Sequence, residues 1–135
     1  MEKITVLAQI NSPIAQVWEK WTNPAHVIHW NFAHESWHCP KATANLQVGG
    51  EFHYQMAAKD GSFEFDFWGT FQAIEKEKYL KIVIGDGREM EVYFQQSING
   101  TEVREVFDPE NQNPPDMQQQ GWQAILNQFK RYVEQ

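Results

Sequence analysis

The chain lacks the features that would place it in several large classes of protein. Of its 135 residues only one, Cys39, is a cysteine, so no intramolecular disulfide can form and packing has to hold the fold. No charged-then-apolar leader precedes the first amphipathic segment, and a reducing cytoplasm is therefore the expected compartment. No apolar run approaches the roughly 20 residues needed to cross a bilayer, so no membrane partner is expected. Basic residues are few: 11 Lys and Arg against 18 Asp and Glu leave a formal net charge of −7. These cations are scattered along the chain instead of forming a stripe, which argues against nucleic acid and anionic membranes as partners. Repeats, low-complexity tracts and linkers are also missing. Residues 1–135 read as one domain, large enough to bury about two-thirds of the surface its unfolded form exposes.

What the chain has in excess is aromatic side chains, 14% of all residues with six Trp. In FEFDFWGTFQA, residues 63–73, Phe63, Phe65, Phe67, Gly69, Phe71 and Ala73 fall on one side and Glu64, Asp66, Trp68, Thr70, Gln72 and Ile74 on the other. A period of two means a β-strand. Before it, Ile4, Val6, Ala8 and Ile10 alternate in a first strand. The period then changes: Asn11 or Ser12 can cap a helix with Pro13 in its first turn, and Ile14, Val17, Trp18 and Trp21 share one helical face. Asn23-Pro24 starts a second short helix over AHVIH, followed by the irregular stretch WNFAHESWHCP.

From Lys41 onward strands alternate with turns. One strand lies near residues 42–46 and the next carries Phe52, Tyr54 and Met56, with LQVGG turning between them. After the phenylalanine strand come Leu80, Ile82 and Ile84, then Met90, Val92 and Phe94, and last Val103, Glu105 and Phe107. Asn99-Gly100 is the strongest hairpin signal in the chain. It also begins an Asn-Gly-Thr sequon, but the turn is the better reading. Strands joined this closely form an antiparallel meander. The end differs: after Asn113 and two prolines, Met117, Gly121, Trp122, Ile125, Leu126, Phe129, Tyr132 and Val133 recur with helical period, a rod of roughly 30 Å. A long amphipathic helix following six or seven antiparallel strands has to cover their apolar face. The phenylalanine strand is expected to grip it, bending at Gly69 or approaching the helix there.

These segments resemble the START-like, or SRPBCC, superfamily with its helix-grip fold, an α+β architecture. Within it they resemble the group named for the activator of heat-shock protein 90 ATPase homologues. The resemblance is carried by SPIAQVWEKWTNPAHVIHW, LQVGGEFHY, DGSFEFDFWGTF, the Asn-Gly-Thr hairpin with its following strand, and GWQAILNQFKRYVE, which together span nearly the whole chain. It implies a curved antiparallel sheet of six to seven strands wrapped around the C-terminal helix. Two short helices follow the first strand, and an elongated cavity opens near them. Asn45 and Trp68 depart from the pattern, where carboxylates are usual.

On that fold the candidate wall residues are Phe52, Tyr54, Phe65, Phe67, Phe94 and Phe107 from the strands, and Gly121, Trp122, Leu126 and Phe129 from the helix, with Trp37 and His38 as further ligand-binding candidates. For each of them plain core packing is the alternative. Glu105 alternates with Val103 and Phe107, which turns a carboxyl inward. Arg88 or His38 is its natural partner, unless its strand is an edge and the carboxyl reaches water. His26, His29, His34, His38 and Cys39 lie close in sequence but not at zinc-site spacing, so no metal is expected. Adjacent His38 and Cys39 are not a nucleophile pair, and His53 would have to fold onto the thiol to make one. Gly49-Gly50 and Gly85-Asp86-Gly87 are turns, not phosphate cradles, and no cofactor is expected.

Three functions follow. The first is binding of a small apolar or aromatic compound in the grip. The second, as in cyclase and hydrolase relatives, is catalysis with Glu105 moving protons. The third is a chaperone contact of the kind the group's name implies, although the eukaryotic activators use a separate N-terminal domain for it.

Overall fold

The computed structural model describes residues 2–135. The elements run β1 (Ile4–Ile10), α1 (Ile14–Thr22), α2 (Pro24–Val27), β2 (Trp37–Ala44), β3 (Glu51–Ala58), β4 (Glu64–Glu75), β5 (Tyr79–Ile84), β6 (Glu89–Ser97), β7 (Gly100–Phe107) and α3 (Pro115–Glu134). All strand pairings are antiparallel in one seven-stranded sheet of order β1-β7-β6-β5-β4-β3-β2. The meander from β2 to β7 returns beside β1, leaving β1 and β2 as the two edges. This is the helix-grip fold, a curved sheet around a C-terminal helix. No described helix is long and apolar enough to cross a membrane.

The alternation read from sequence sets the inner face. Ile4, Val6, Ala8 and Ile10 of β1, Leu80, Ile82 and Ile84 of β5, Met90, Val92 and Phe94 of β6, and Val103 and Phe107 of β7 are all buried in one continuous core. In β4 the alternation breaks at a bulge between Phe71 and Ala73. Beyond it Ile74, expected outside, pairs with Leu80 and packs on the core. A bulge inserts one residue and reverses which side faces inward.

Gly69 has a closer cause than the helix. A methyl group there would stand 2.7 Å from the Val83 carbonyl oxygen and 2.9 Å from the Phe52 ring, so glycine is what lets Phe52 lie across β4. The phenylalanine face meets α3 only in part. Phe67 touches Trp122 edge-on, whereas Phe63 and Phe65 are exposed and pack with Trp37 at the far tip of β4.

The helix runs instead along β1. Side chains of Gln119, Gln123 and Lys130 donate to the carbonyls of Thr5, Leu7 and Gln9, and the backbone N–H of Asn11 donates to Glu134. An edge strand's unpaired carbonyls are thereby covered by the helix that the sheet holds. At the other edge β2 begins at Trp37, earlier than expected, because a register shift between His38 and Lys41 admits Pro40. Pro13 caps α1 by backbone geometry without a side-chain bond from Asn11 or Ser12. Asn23 caps α2 by accepting from the Ala25 N–H.

Candidate functional site

Between the inner face and α3 lies a cavity of about 270 Å³. Its walls are Phe52, Tyr54 and Met56 from β3, Phe65, Phe67 and Phe71 from β4, Leu80 and Ile82 from β5, Met90 from β6, and Trp122 and Ile125 from α3. Trp21 and Thr22 at the end of α1, and Trp30 and Asn31 after α2, close one side. Among the described residues, Glu105 and Arg88 are its only charged members.

Many of the wall residues are held by specific contacts. Trp122 stacks on Phe107 with ring centroids 3.7 Å apart and takes the edge of Phe67 on another side. Phe52 contacts Tyr54, Phe67 and Phe71. The Trp30 indole N–H donates to the Lys20 carbonyl, Thr22 donates to the Trp18 carbonyl, and the Asn31 amide points at the Met56 sulfur, 3.1 Å away. Tyr54 is shielded from bulk water while its surface opens onto the cavity, and burial pushes its phenol well above the ordinary range.

Glu105 is 5% exposed. Val103 and Phe107 flank it along β7, and Val6 and Val92 lie beside it on the neighbouring strands. Among the described residues no side chain or backbone group hydrogen-bonds its carboxyl and no cation pairs with it, and its oxygens are not sealed in the core. The carboxyl therefore faces the void. Burial alone lifts its pKa to about 8, as expected when the charged form loses hydration without gaining a partner.

The two partners expected for it are engaged or out of reach. Arg88 donates from Nε to Asp86 at 2.8 Å and from Nη1 to the Asp108 carbonyl. His38 sits on β2, with four strands between it and β7. The edge reading is also overturned, since β7 lies between β1 and β6.

Of the residues named from sequence, the fold brings Phe52, Tyr54, Phe65, Phe67, Arg88, Glu105 and Trp122 onto the wall. The others lie behind or away from it. Phe107 backs Trp122. Phe94 is packed under Trp18 and Trp21, and Phe129 is closed in by Trp21 and Trp30. Leu126 is wholly buried in the core, and Gly121 precedes the wall residue Trp122 without joining it. Trp37 packs on Phe63 and Phe65 without lining the cavity. Sequence reasoning passed over Ile82, Met90 and Phe71, which the same alternation places inward. It also passed over Ile125, one turn after Trp122. Trp30 and Asn31 carried no periodic signal.

The nucleophile and metal alternatives find no geometry. Cys39 is buried, and burial raises its thiol pKa, the state of an inert thiol. His53 is on the opposite face, stacked on Trp68 between Glu51 and Asp66. Those two carboxylates hold the imidazole's pKa above its usual value. His26 and His29 pack on Tyr132, and His34 bonds Ser36. Among the described residues no group of three His, Cys, Asp or Glu side chains is arranged to hold a metal ion.

A curved sheet gripping a terminal helix around an apolar void defines a START-like domain. Residues 11–134 match the family model of Activator of Hsp90 ATPase homolog 1-like proteins, and the chain belongs to that family. It is similar to an AHSA1-like protein from Aeromonas hydrophila, with 47% identity and a TM-score of 0.92 over 98% of this chain and 92% of that one. It is also similar to a Cytophaga hutchinsonii protein, with 45% identity and a TM-score of 0.85 over 98% and 92%. A Chromobacterium violaceum protein shares the fold at 18% identity, with a TM-score of 0.88 over 100% and 99%. No curated protein matches the chain.

Proposed function

We propose that this protein binds a small, mainly apolar or aromatic compound in the cavity between the sheet and α3. The observation that carries this reading is the void of about 270 Å³ walled by aromatic rings. Protein interiors are close-packed, so a space of this size inside one has to be maintained by its lining. An apolar cavity of about 150 Å³ is enough to take a benzene ring. The space here suits a compound of about two fused rings.

The unpaired Glu105 favours a second reading, an enzyme in which this carboxyl serves as general acid or base, because its pKa of about 8 lies close to neutrality. Binding is the more economical reading, since it requires only the cavity. A chaperone-ATPase contact has the family's name behind it and no feature of the site.

The test uses a neutral two-ring dye such as 1-aminonaphthalene, whose emission shifts to the blue in apolar surroundings. It is expected to bind at one equivalent. Phe67→Arg, which puts a charge into the wall, should weaken binding at least tenfold, while Lys76→Ala in the β4–β5 turn leaves it unchanged. Equal binding by the two variants overturns the reading.

A further inference from the structure

The geometry points to a ligand that carries a single uncharged hydroxyl on an apolar or aromatic skeleton, recognised by the Glu105 carboxyl. This inference rests on the cavity being a binding site and names the class of compound it takes.

The inference starts from Glu105's position. The residue is nine-tenths or more buried, in a row of valines and a phenylalanine, and among the described residues nothing hydrogen-bonds or pairs with its carboxyl. A buried polar group without a partner is costly to keep. A hydrophobic residue at this inward position would fit the pattern of every neighbouring strand. The carboxyl is also aimed into a mainly apolar void, whose polar wall residues Thr22, Asn31 and Arg88 are bonded to Trp18, Met56 and Asp86 and not to it, so the one partner the fold leaves room for is a group on whatever fills that void.

The chemistry of that group follows from the surroundings. Because burial lifts the carboxyl's pKa to about 8, at neutral pH it offers an O–H donor and a C=O acceptor side by side. A hydroxyl both donates and accepts, and it can match both. An ammonium can use only the acceptor, and it would have to be stripped of water and brought into a chamber whose other charged group, Arg88, has the same sign. A carboxylate can use only the O–H donor, and it too would have to be stripped of water on entering. The remaining titratable wall residue, Tyr54, is held neutral by burial and adds no charge to favour either. Sites that hydrogen-bond a substrate hydroxyl discriminate strongly against analogues lacking it.

Three probes on one skeleton separate the possibilities: 2-methylnaphthalene, 2-naphthalenemethanol and 2-naphthylmethylammonium. Each is titrated at pH 6.5 against the wild-type protein, Glu105→Gln and Glu105→Leu. The alcohol is expected to bind the wild type at least tenfold tighter than it binds Glu105→Leu. The methyl compound should change by less than threefold between them, which also reports that the leucine variant is folded. Glu105→Gln, which keeps one donor and one acceptor, should retain most of the alcohol's affinity, and the ammonium should bind the wild type more weakly than the alcohol. If the alcohol binds wild type and Glu105→Leu alike while the methyl compound still binds both, Glu105 recognises nothing and the cavity reading stands alone. An ammonium that outcompetes the alcohol overturns the neutral-hydroxyl class. Failure of all three probes on the wild type overturns the cavity reading and this inference together.

Discussion

The two halves of α3 make contact with similar residues to different ends. Toward its C-terminus, Phe129 is closed in by Trp21 and Trp30, both edge-on at just under 5 Å, and Leu126 and Val133 are buried beside it. Toward its N-terminus, Trp122 is supported from behind by Phe107, yet its exposed side and that of Ile125 open onto the void. Both halves are lined with aromatic rings. They differ in what arrives from the other side: α1 and the segment after α2 bring two indoles into contact with Phe129, while at the other half the same indoles close one side of the void. The same apolar composition thus makes a packed core where an element covers it and a chamber where none does.

The strongest way to break this comparison is truncation on each side of it. Phe129→Ala should cost about 3–5 kcal/mol in urea unfolding, because its neighbours are fixed rings that cannot collapse into the space. Ile125→Ala should cost less than about 2 kcal/mol, because it enlarges a space that already exists and leaves fewer contacts to lose. Equal losses would mean that the chamber is as tightly packed as the core.

Next in size is the effect of the carboxyl inside the chamber. In the folded chain Glu105 titrates near pH 8, against an ordinary value of 4.5. Below the ordinary value both states are protonated and the residue is neutral to stability. Between 4.5 and 8 the unfolded chain releases a proton that the folded chain keeps, so stability falls as pH rises, and above 8 the loss is constant. Over that window the wild type should lose at most roughly 5 kcal/mol through this group. Glu105→Gln should lack that slope, matching the wild type at pH 4 and exceeding it at pH 8.5. Parallel pH profiles would show that the carboxyl finds water in the chamber and is not desolvated.

The fold was largely legible because period two and period 3.6 mark which side of each element is inward, and Asn99-Gly100 marks the last hairpin without reference to anything distant. Legibility stopped where one local irregularity changes a face. The bulge at Phe71/Ala73 turns Ile74 inward, and the one near Pro40 lets β2 begin at Trp37; neither leaves a periodic trace. For the site, alternation placed Glu105 inward but could not say whether Arg88 reached it. That depended on Asp86 and the Asp108 carbonyl being nearer. Phe63 and Phe65 show the converse: their alternation is perfect, but β4 outruns the helix, and period alone does not tell a covered ring from an exposed one.

The smallest effect sharpens the comparison most. Gly121 lies in the open half of α3, is half-buried, and has nothing within 4 Å of where a methyl group would project. It is not among the glycines with a left-handed backbone. Neither crowding nor conformation requires glycine here, and Gly121→Ala should raise stability by up to about 1 kcal/mol through helix propensity, a gain of a few degrees in melting temperature. Because Trp122 and Ile125, not Gly121, form the wall, dye affinity should stay within twofold of the wild type. A variant that melts higher but binds more weakly would give a different answer: space that is open without ligand would be used with it. The N-terminal half of α3 would then close onto the occupant, as the packed half already closes onto Trp21 and Trp30.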